Sequence, residues 1–275
     1  MLSKTLILNL RGGLGNQFFQ AFGGAHFANK LGTKLLLDDS GIINHNDYTR
    51  RSWLREFSLE GLFPEISIRW RKRPMAQILS RIPRNLELSS SLGEIELTKL
   101  VSAKRKIKIN DWFISTKYLP ETKSKLFKDQ IHNLRATVSD LALANGSIPD
   151  SAGIHIRLGD FKQTPWGTLS PEWYRSALLR LVELGVREVD CYSDDLQDAK
   201  KIVQGLETQI TIRFPEEQNV LLPHELLFVM SNYRYFVSSN STLSWWASYF
   251  NSRKDAVILS NWGDELHLTG WRKVK

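Results

Sequence analysis

An α/β fold built on parallel sheets is the fold class that this sequence of 275 residues predicts. Two observations carry the prediction. From residue 153 onward, short apolar runs of strand length alternate with helix-length stretches, and the chain opens with the same order of strand, turn, helix and strand. Strands joined through a helix pair in parallel, which leaves ligand sites at the carboxyl ends of the strands. With 42% hydrophobic and 24% charged residues, the chain can bury one large core or two modest ones, which sets aside disorder and a bare peptide-binding module.

Residues 5–10 form an apolar run of strand length, interrupted by Gly12, Gly13 and Gly15 before a helix expected over 18–31 and closed by Gly32. Residues 34–37 read as a second strand ending at Asp38 and Asp39, which completes a β-turn-α-β unit. The stretch 40–148 is weakly patterned: aromatic-basic clusters such as 69–73, a few proline breaks and one helix expected near 122–133. Residues 145–151, with Gly146, Pro149 and Asp150, are polar and turn-rich and form the expected boundary between domains over 1–147 and 148–275. Beyond it, strands are expected at 153–157, 188–193, 210–214, 235–238 and 256–259, separated by helices at 171–184, 196–205, 223–231 and 242–250.

Lys and Arg number 37 against 29 Asp and Glu, and the formal charge of +8 points to an anionic partner: nucleic acid, a membrane surface or a phosphorylated small molecule. The single cysteine, Cys191, excludes an internal disulfide framework and a cysteine-based metal cluster, and fits a reducing compartment. The apolar run at 6–10 is too short for a signal sequence, and no later segment holds about 18 uninterrupted apolar residues. A soluble, cytoplasmic chain is expected.

Four constellations stand at expected strand ends. The first is RGGLGNQ, from Arg11 to Gln17, where backbone N–H groups at a helix start can face a phosphate and glycine permits close approach. Gly13, Gly15 and Asp38 imitate a dinucleotide fingerprint, but the third glycine position is Phe18, and no lysine makes a P-loop; a tight turn without a ligand is the alternative. The second is His155, Arg157 and Asp160 in GIHIRLGDF. Strand alternation puts His155 and Arg157 on one face and Ile154, Ile156 and Leu158 on the other; a structural Arg–Asp pair beside a satisfied histidine is the competing reading. The third is Ser193, Asp194 and Asp195, where one carboxylate caps the following helix and the other can accept paired N–H donors from a guanine edge. The fourth is NSTLSWW, Asn240 to Trp246, whose Ser241 and Thr242 hydroxyls either cap a helix or donate to phosphate oxygens, with Trp245 and Trp246 as packing residues.

Together these elements resemble the bacterial α-1,2-fucosyltransferases, glycosyltransferase family 11, nearly end to end. RGGLGNQFFQ is similar to the family's GGLGNQ-hydrophobic-Phe-Gln element, HIRLGD to its His-x-Arg-Arg-x-Asp element, YSDD to its Ser-Asp-Asp strand end and SNSTLSWWAS to its Asn-Ser-Thr/Ser-Phe-Ser-Trp-Trp element. The resemblance implies a GT-B fold, two Rossmann-like domains facing a central cleft, with an acceptor-side domain over 1–147 and a GDP-fucose-binding domain over 148–275. It implies inverting transfer of L-fucose from GDP-fucose to the 2-hydroxyl of a terminal β-galactoside in O-antigen-like synthesis, without a cofactor or an obligatory metal. The absence of any Asp-x-Asp in the sequence agrees with a metal-free diphosphate site. The donor-binding residues it implies are Gly12, Gly13, Gly15, Asn16, Gln17, His155, Arg157, Ser193, Asp194, Asp195, Asn240, Ser241 and Thr242. By analogy, Arg157 binds the β-phosphate, His155 and one of Asp194 and Asp195 read guanine, and Ser241 and Thr242 hold phosphate.

Arg157, Asp160 and His155 are the catalytic candidates: Arg157 to stabilise charge on the departing diphosphate, Asp160 or His155 to take the acceptor proton. Two departures stand out: Leu158 replaces the family's second arginine, and Leu226 occupies the place of an acid, with Glu225 one position early. The basic stretch 69–84, which mixes cations with Trp70, Met75, Ile78, Leu79 and Ile82, reads as a peripheral contact with the inner face of the membrane, where a lipid-linked acceptor grows, or as a solvated basic face. Another linkage, such as α-1,6, shares the donor motifs. A NAD-linked oxidoreductase explains the glycine turn and Asp38 but leaves the other three motifs without roles, and no nucleic-acid module accounts for the charge.

Overall fold

The computed structural model describes residues 5–43, 51–71, 106–119, 152–165, 167–204, 210–251 and 253–274. Two units divide the chain, Met1–Gln130 and Ile131–Lys275. The boundary expected at 145–151 and the helix expected at 122–133 lie outside the described residues.

In the first unit β1 (Thr5–Asn9), α1 (Leu14–Lys30) and β2 (Lys34–Asp38) follow one another, and β1 pairs in parallel with β2. Leu6, Ile7 and Leu8 are all buried, the unbroken apolar reading of a strand covered on both faces. The helix begins at Leu14 rather than at 18: the turn is complete at Gly12, Gly13 occupies the N-cap, and the Gln17 N–H already bonds the Gly13 carbonyl at 3.0 Å. Gly15 therefore lies inside the helix, buried. Two short helices follow, α2 (Ser40–Ile43) and α3 (Leu59–Leu62), and two further parallel strands, β3 (Ile68–Trp70) against β2 and β4 (Lys106–Ile109) against β1, come from the weakly patterned stretch. The sheet order is β3-β2-β1-β4.

The second unit runs β5 (Ala152–Ile156), α4 (Pro171–Glu183), β6 (Glu188–Ser193), α5 (Leu196–Gln204), β7 (Thr211–Arg213), α6 (Pro223–Met230), β8 (Tyr235–Ser238), α7 (Thr242–Phe250), β9 (Val257–Ser260) and β10 (Arg272–Lys273). Local signals set these boundaries: Ser170 accepts the Trp173 N–H at the start of α4, with Pro171 in the first turn, and Ser241 accepts the Leu243 N–H at the start of α7. All pairings are parallel, in the order β10-β9-β8-β5-β6-β7. Read from the other edge, the strands come third, second, first, fourth, fifth and sixth, the doubly wound order whose direction reverses between β5 and β8. The same reversal falls between β1 and β4 in the first unit. Ile154, Ile156 and Leu158 enter one core with Tyr174, Leu178 and Val189, as the alternation of β5 requires, so Leu158 is a core residue.

The basic stretch is only partly a surface feature. Ile68–Trp70 is strand β3, and the Arg71 side chain is buried against the Asp38 carboxylate; residues 72–84 lie outside the described set.

Candidate active site

A crevice at the reversal of a doubly wound sheet is where such folds bind ligands, because the two flanking loops diverge to opposite faces. In the second unit these loops follow β5 and β8. Arg157 is the first residue past β5, and its guanidinium is held at both ends: Nη1 lies 2.8 Å from Asp194 Oδ2, and Nη2 donates to Asp160 Oδ1 at 2.7 Å. Its central carbon stands 5.3 Å from the Phe161 ring centroid, and Nε is buried without a hydrogen-bond partner among the described residues. Asp194, just past β6, also accepts the Leu158 N–H through Oδ1 at 2.8 Å. That carboxylate fits only because residue 159 is glycine: a Cβ there would lie 2.3 Å from Asp194 Oδ2. One carboxylate thus fixes both the backbone and the cation at the end of β5.

His155 is 2% exposed, and its Nδ1 lies 3.2 Å from Ser239 Oγ, a contact that crosses from β5 to the residue following β8. Burial pulls the His155 pKa down to about 4, with Asp194 opposing the shift and Arg157 adding to it, so the imidazole is neutral at neutral pH. Ser239 continues to Ser244 at 3.3 Å, and Ser244 is within 3.3 Å of Ser238, which places a run of hydroxyls under the start of α7. Ser241 caps that helix, Thr242 is its first residue, and Asn240 donates to the Gly167 carbonyl at 2.9 Å. The Asn240 Oδ1 is buried without a partner among the described residues.

At the end of β6 the two aspartates divide their work. Asp195 accepts the Asp198 N–H at 3.1 Å, capping α5, and pairs with Lys162 at 2.8 Å; the hydrogen bond from Lys162 is the largest influence lowering its pKa. Ser193 Oγ accepts the Asp195 N–H at 3.1 Å, while the Ser193 N–H donates to Gln218 Oε1 at 3.0 Å. Gln218 also donates to the carbonyls of Cys191 and Pro215 at 3.1 and 2.9 Å, and so ties the loop after β7 to β6. Glu225 Oε2 accepts the Leu222 N–H at 2.8 Å, which closes the start of α6. Trp245 and Trp246 are fully buried packing residues.

The glycine turn belongs to the first unit. Gly12 adopts φ 74°, and a Cβ there would meet Asn16 Nδ2 at 2.7 Å, so only glycine serves. No side chain caps α1, and its first turn holds no acid among the described residues, which leaves its N–H groups and dipole available to an anion. Gln17 is buried with its amide engaged: Nε2 donates to the carbonyls of Gly12 and Arg51 at 2.9 and 2.8 Å, and Oε1 accepts the Leu54 N–H at 3.0 Å. Gln20 clamps the backbone of Arg11 by both its N–H and its carbonyl, at 2.9 and 2.8 Å. Gln17, expected on the donor, thus has its amide bonded to backbone instead, while Gln20, Gln218 and Ser239 were not anticipated; for Gln20, an amide ending the apolar run QFFQ was the available signal. Asp38, the acid of the dinucleotide reading, accepts the Ser40 N–H at 3.1 Å and pairs with Arg71. Among the described residues no group of three or more His, Cys, Asp or Glu side chains is placed to hold a metal ion.

No protein-family model matches the chain. It is 24% identical to the O-antigen biosynthesis glycosyltransferase WbnK of Escherichia coli, over 91% of this chain and 92% of that protein. Among solved structures, fucosyltransferase NodZ from Bradyrhizobium aligns over 90% of this chain and 92% of its own, at 14% identity and a TM-score of 0.55. FUT1 of Arabidopsis thaliana in complex with GDP aligns over 90% of this chain and 68% of its own, at 12% identity and a TM-score of 0.53. POFUT1 in complex with GDP aligns over 90% and 95%, at 14% identity and a TM-score of 0.50. The chain thus has the GT-B type of α/β fold, shared with a fucosyltransferase, and its sequence is similar to that of a glycosyltransferase of O-antigen biosynthesis.

Proposed function

We propose that the protein transfers L-fucose from GDP-fucose to the 2-hydroxyl of a terminal β-galactoside, with inversion, during assembly of an O-antigen-like polysaccharide. The observation that carries this reading is the arrangement at the β5/β8 reversal, where the loop after β5 carries a fixed arginine and His155 reaches Ser239, in the run of hydroxyls leading to the capped start of α7. Similarity to WbnK and the fold shared with NodZ support it.

In this reading the β-phosphate of the donor lies against Arg157, the start of α7 and the hydroxyls of Ser241 and Thr242. As the bond from fucose to the diphosphate breaks, charge grows on that phosphate and is met by groups already in place, which lowers the barrier without reorganisation. Gly12, Gly13, Gly15 and Asn16 leave the uncapped N–H groups of α1 open to an anion, and Gln17 holds the turn. Asp194 positions Arg157, and Asp195 caps α5 and pairs with Lys162, so neither carboxylate is assigned to the guanine edge. Asp160 stands on the exposed side of Arg157 and takes the acceptor proton; His155, with its pKa lowered to about 4 by burial, is a weak base and serves as a neutral hydrogen-bonding group. No step requires a metal.

The test is GDP release from GDP-fucose in EDTA, with and without lactose or Galβ1-3GalNAc, followed by mass spectrometry and linkage analysis. Acceptor-dependent release with addition of one deoxyhexose, 2-linked, is expected. A product of another linkage revises the acceptor geometry, and no release in EDTA with activity restored by a divalent cation overturns metal independence.

A further inference from the structure

Trp112 is 41% exposed, while its neighbour Phe113 is buried. The turn between them is strained. Phe113 has φ 52°, the one non-glycine with positive φ among the described residues, a conformation costly for an aromatic side chain. It is held there from two sides. Asp111 Oδ1 accepts the Phe113 N–H at 2.9 Å, and the ring sits on Gly23, where a Cβ would be 2.2 Å from Phe113 Cγ. Sending Phe113 inward turns Trp112 outward, three residues past β4 and beside the β1/β4 reversal of the first unit.

The indole is seated there. The Arg11 guanidinium carbon lies 4.8 Å from its ring centroid, and a Cβ on Gly12 would come within 3.2 Å of its Cζ3. At the same strand ends the Asn9 Nδ2 donates to Asn110 Oδ1 at 2.5 Å. An exposed indole with a guanidinium over one face of its ring matches a pyranose, whose C–H face is apolar and whose rim is hydroxyl. Ile114 is the other large exposed apolar side chain in this segment among the described residues.

We infer that Trp112 is the stacking platform for the galactose ring of the acceptor, an assignment that rests on the fucosyl-transfer reading above. The test compares Trp112→Ala and Trp112→Phe with the unaltered protein in KM for lactose and KM for GDP-fucose. Trp112→Ala raises the lactose KM at least tenfold and leaves the GDP-fucose KM within twofold; Trp112→Phe recovers most of the loss. An unchanged lactose KM overturns the assignment, and so does a parallel rise in both constants, which marks a residue that braces the glycine turn or stacks on the donor sugar. A second readout does not need turnover: the indole N–H resonance of Trp112, identified by its loss in Trp112→Phe, shifts when lactose is titrated in the presence of GDP. A shift in a protein that transfers no fucose keeps the sugar subsite and overturns the proposed activity; transfer without a shift overturns the subsite alone.

Discussion

Replacing Arg157 by alanine separates the chemistry of the site from its stability. The Arg157 side chain is 28% exposed, and its partners Asp160 and Asp194 are 54% and 25% exposed. Ion pairs as wet as these contribute about 0–1 kcal/mol each, so the substitution costs the fold about 1–2 kcal/mol at most. For a chain of this size that is a fall in Tm of about 2–8 °C. The charge-assisted contacts from a fixed guanidinium to a departing diphosphate are worth about 2–4 kcal/mol in the transition state, a loss of roughly 10²–10³ in kcat. Arg157→Lys keeps the charge but not the fork that lets Asp194 hold it, and should recover only part of the rate. Acceptor-dependent GDP release gives the rate, and a circular-dichroism melt gives the stability. A folded Arg157→Ala protein with turnover within about threefold of the unaltered enzyme refutes the electrostatic argument.

Three further perturbations probe the same constellation. Gly159→Ala places a methyl 2.3 Å from Asp194 Oδ2, so the carboxylate must leave Arg157 or the Leu158 N–H; kcat should fall at least about tenfold, with a stability loss of about 1–3 kcal/mol, and full activity would show that Asp194 does not position the arginine. His155 has a folded-state pKa of about 4 against an ordinary value of 6.5, so the unfolded chain binds the proton first: its contribution is complete above pH 6.5 and is lost as pH falls toward 4, about 3 kcal/mol in all. Urea titrations at pH 7 and 4.5 should show a smaller acid loss for His155→Gln than for the unaltered protein, and parallel losses would remove His155 as the cause. Asp160→Asn should lower kcat about 10²-fold, and an unchanged rate would retire Asp160 as the base.

The second unit was legible because β8 and β9 are compact apolar runs and its helices have readable starts, such as Ser170-Pro171 or Ser241-Thr242, which set off the strands between them. In the first unit β3 is three residues and β4 is KIKI, whose alternation is too brief to stand apart from the surrounding basic clusters. The start of α1 was misplaced because Gly15 disfavours a helix locally, whereas its burial within α1 favours one. The third glycine missing at Phe18 has a counterpart further along: α1 packs close against the sheet at Gly24, where a Cβ would be 2.8 Å from Leu8 Cδ2. At the site, the residue types were readable and their pairing was not. That Asp195 caps while Asp194 reaches the β5 loop depends on which carboxylate faces Gly159, a fact of tertiary structure.

The pairing of Arg157 with two carboxylates explains how a cation can wait in a partly open crevice without wandering. Asp194 is tied down by the Leu158 N–H and fits against the missing Cβ of Gly159, and it holds one end of the guanidinium. Asp160 is the more exposed partner and has the weaker claim. In the proposed reading, an incoming β-phosphate carries more charge than Asp160 and offers more acceptor oxygens, so it would displace that carboxylate while the Asp194 contact stays. The displaced Asp160 is then released as a free carboxylate beside the reacting centre, where an acceptor hydroxyl must lose its proton. Donor binding and exposure of the base are, in this account, one exchange of partners on a single arginine.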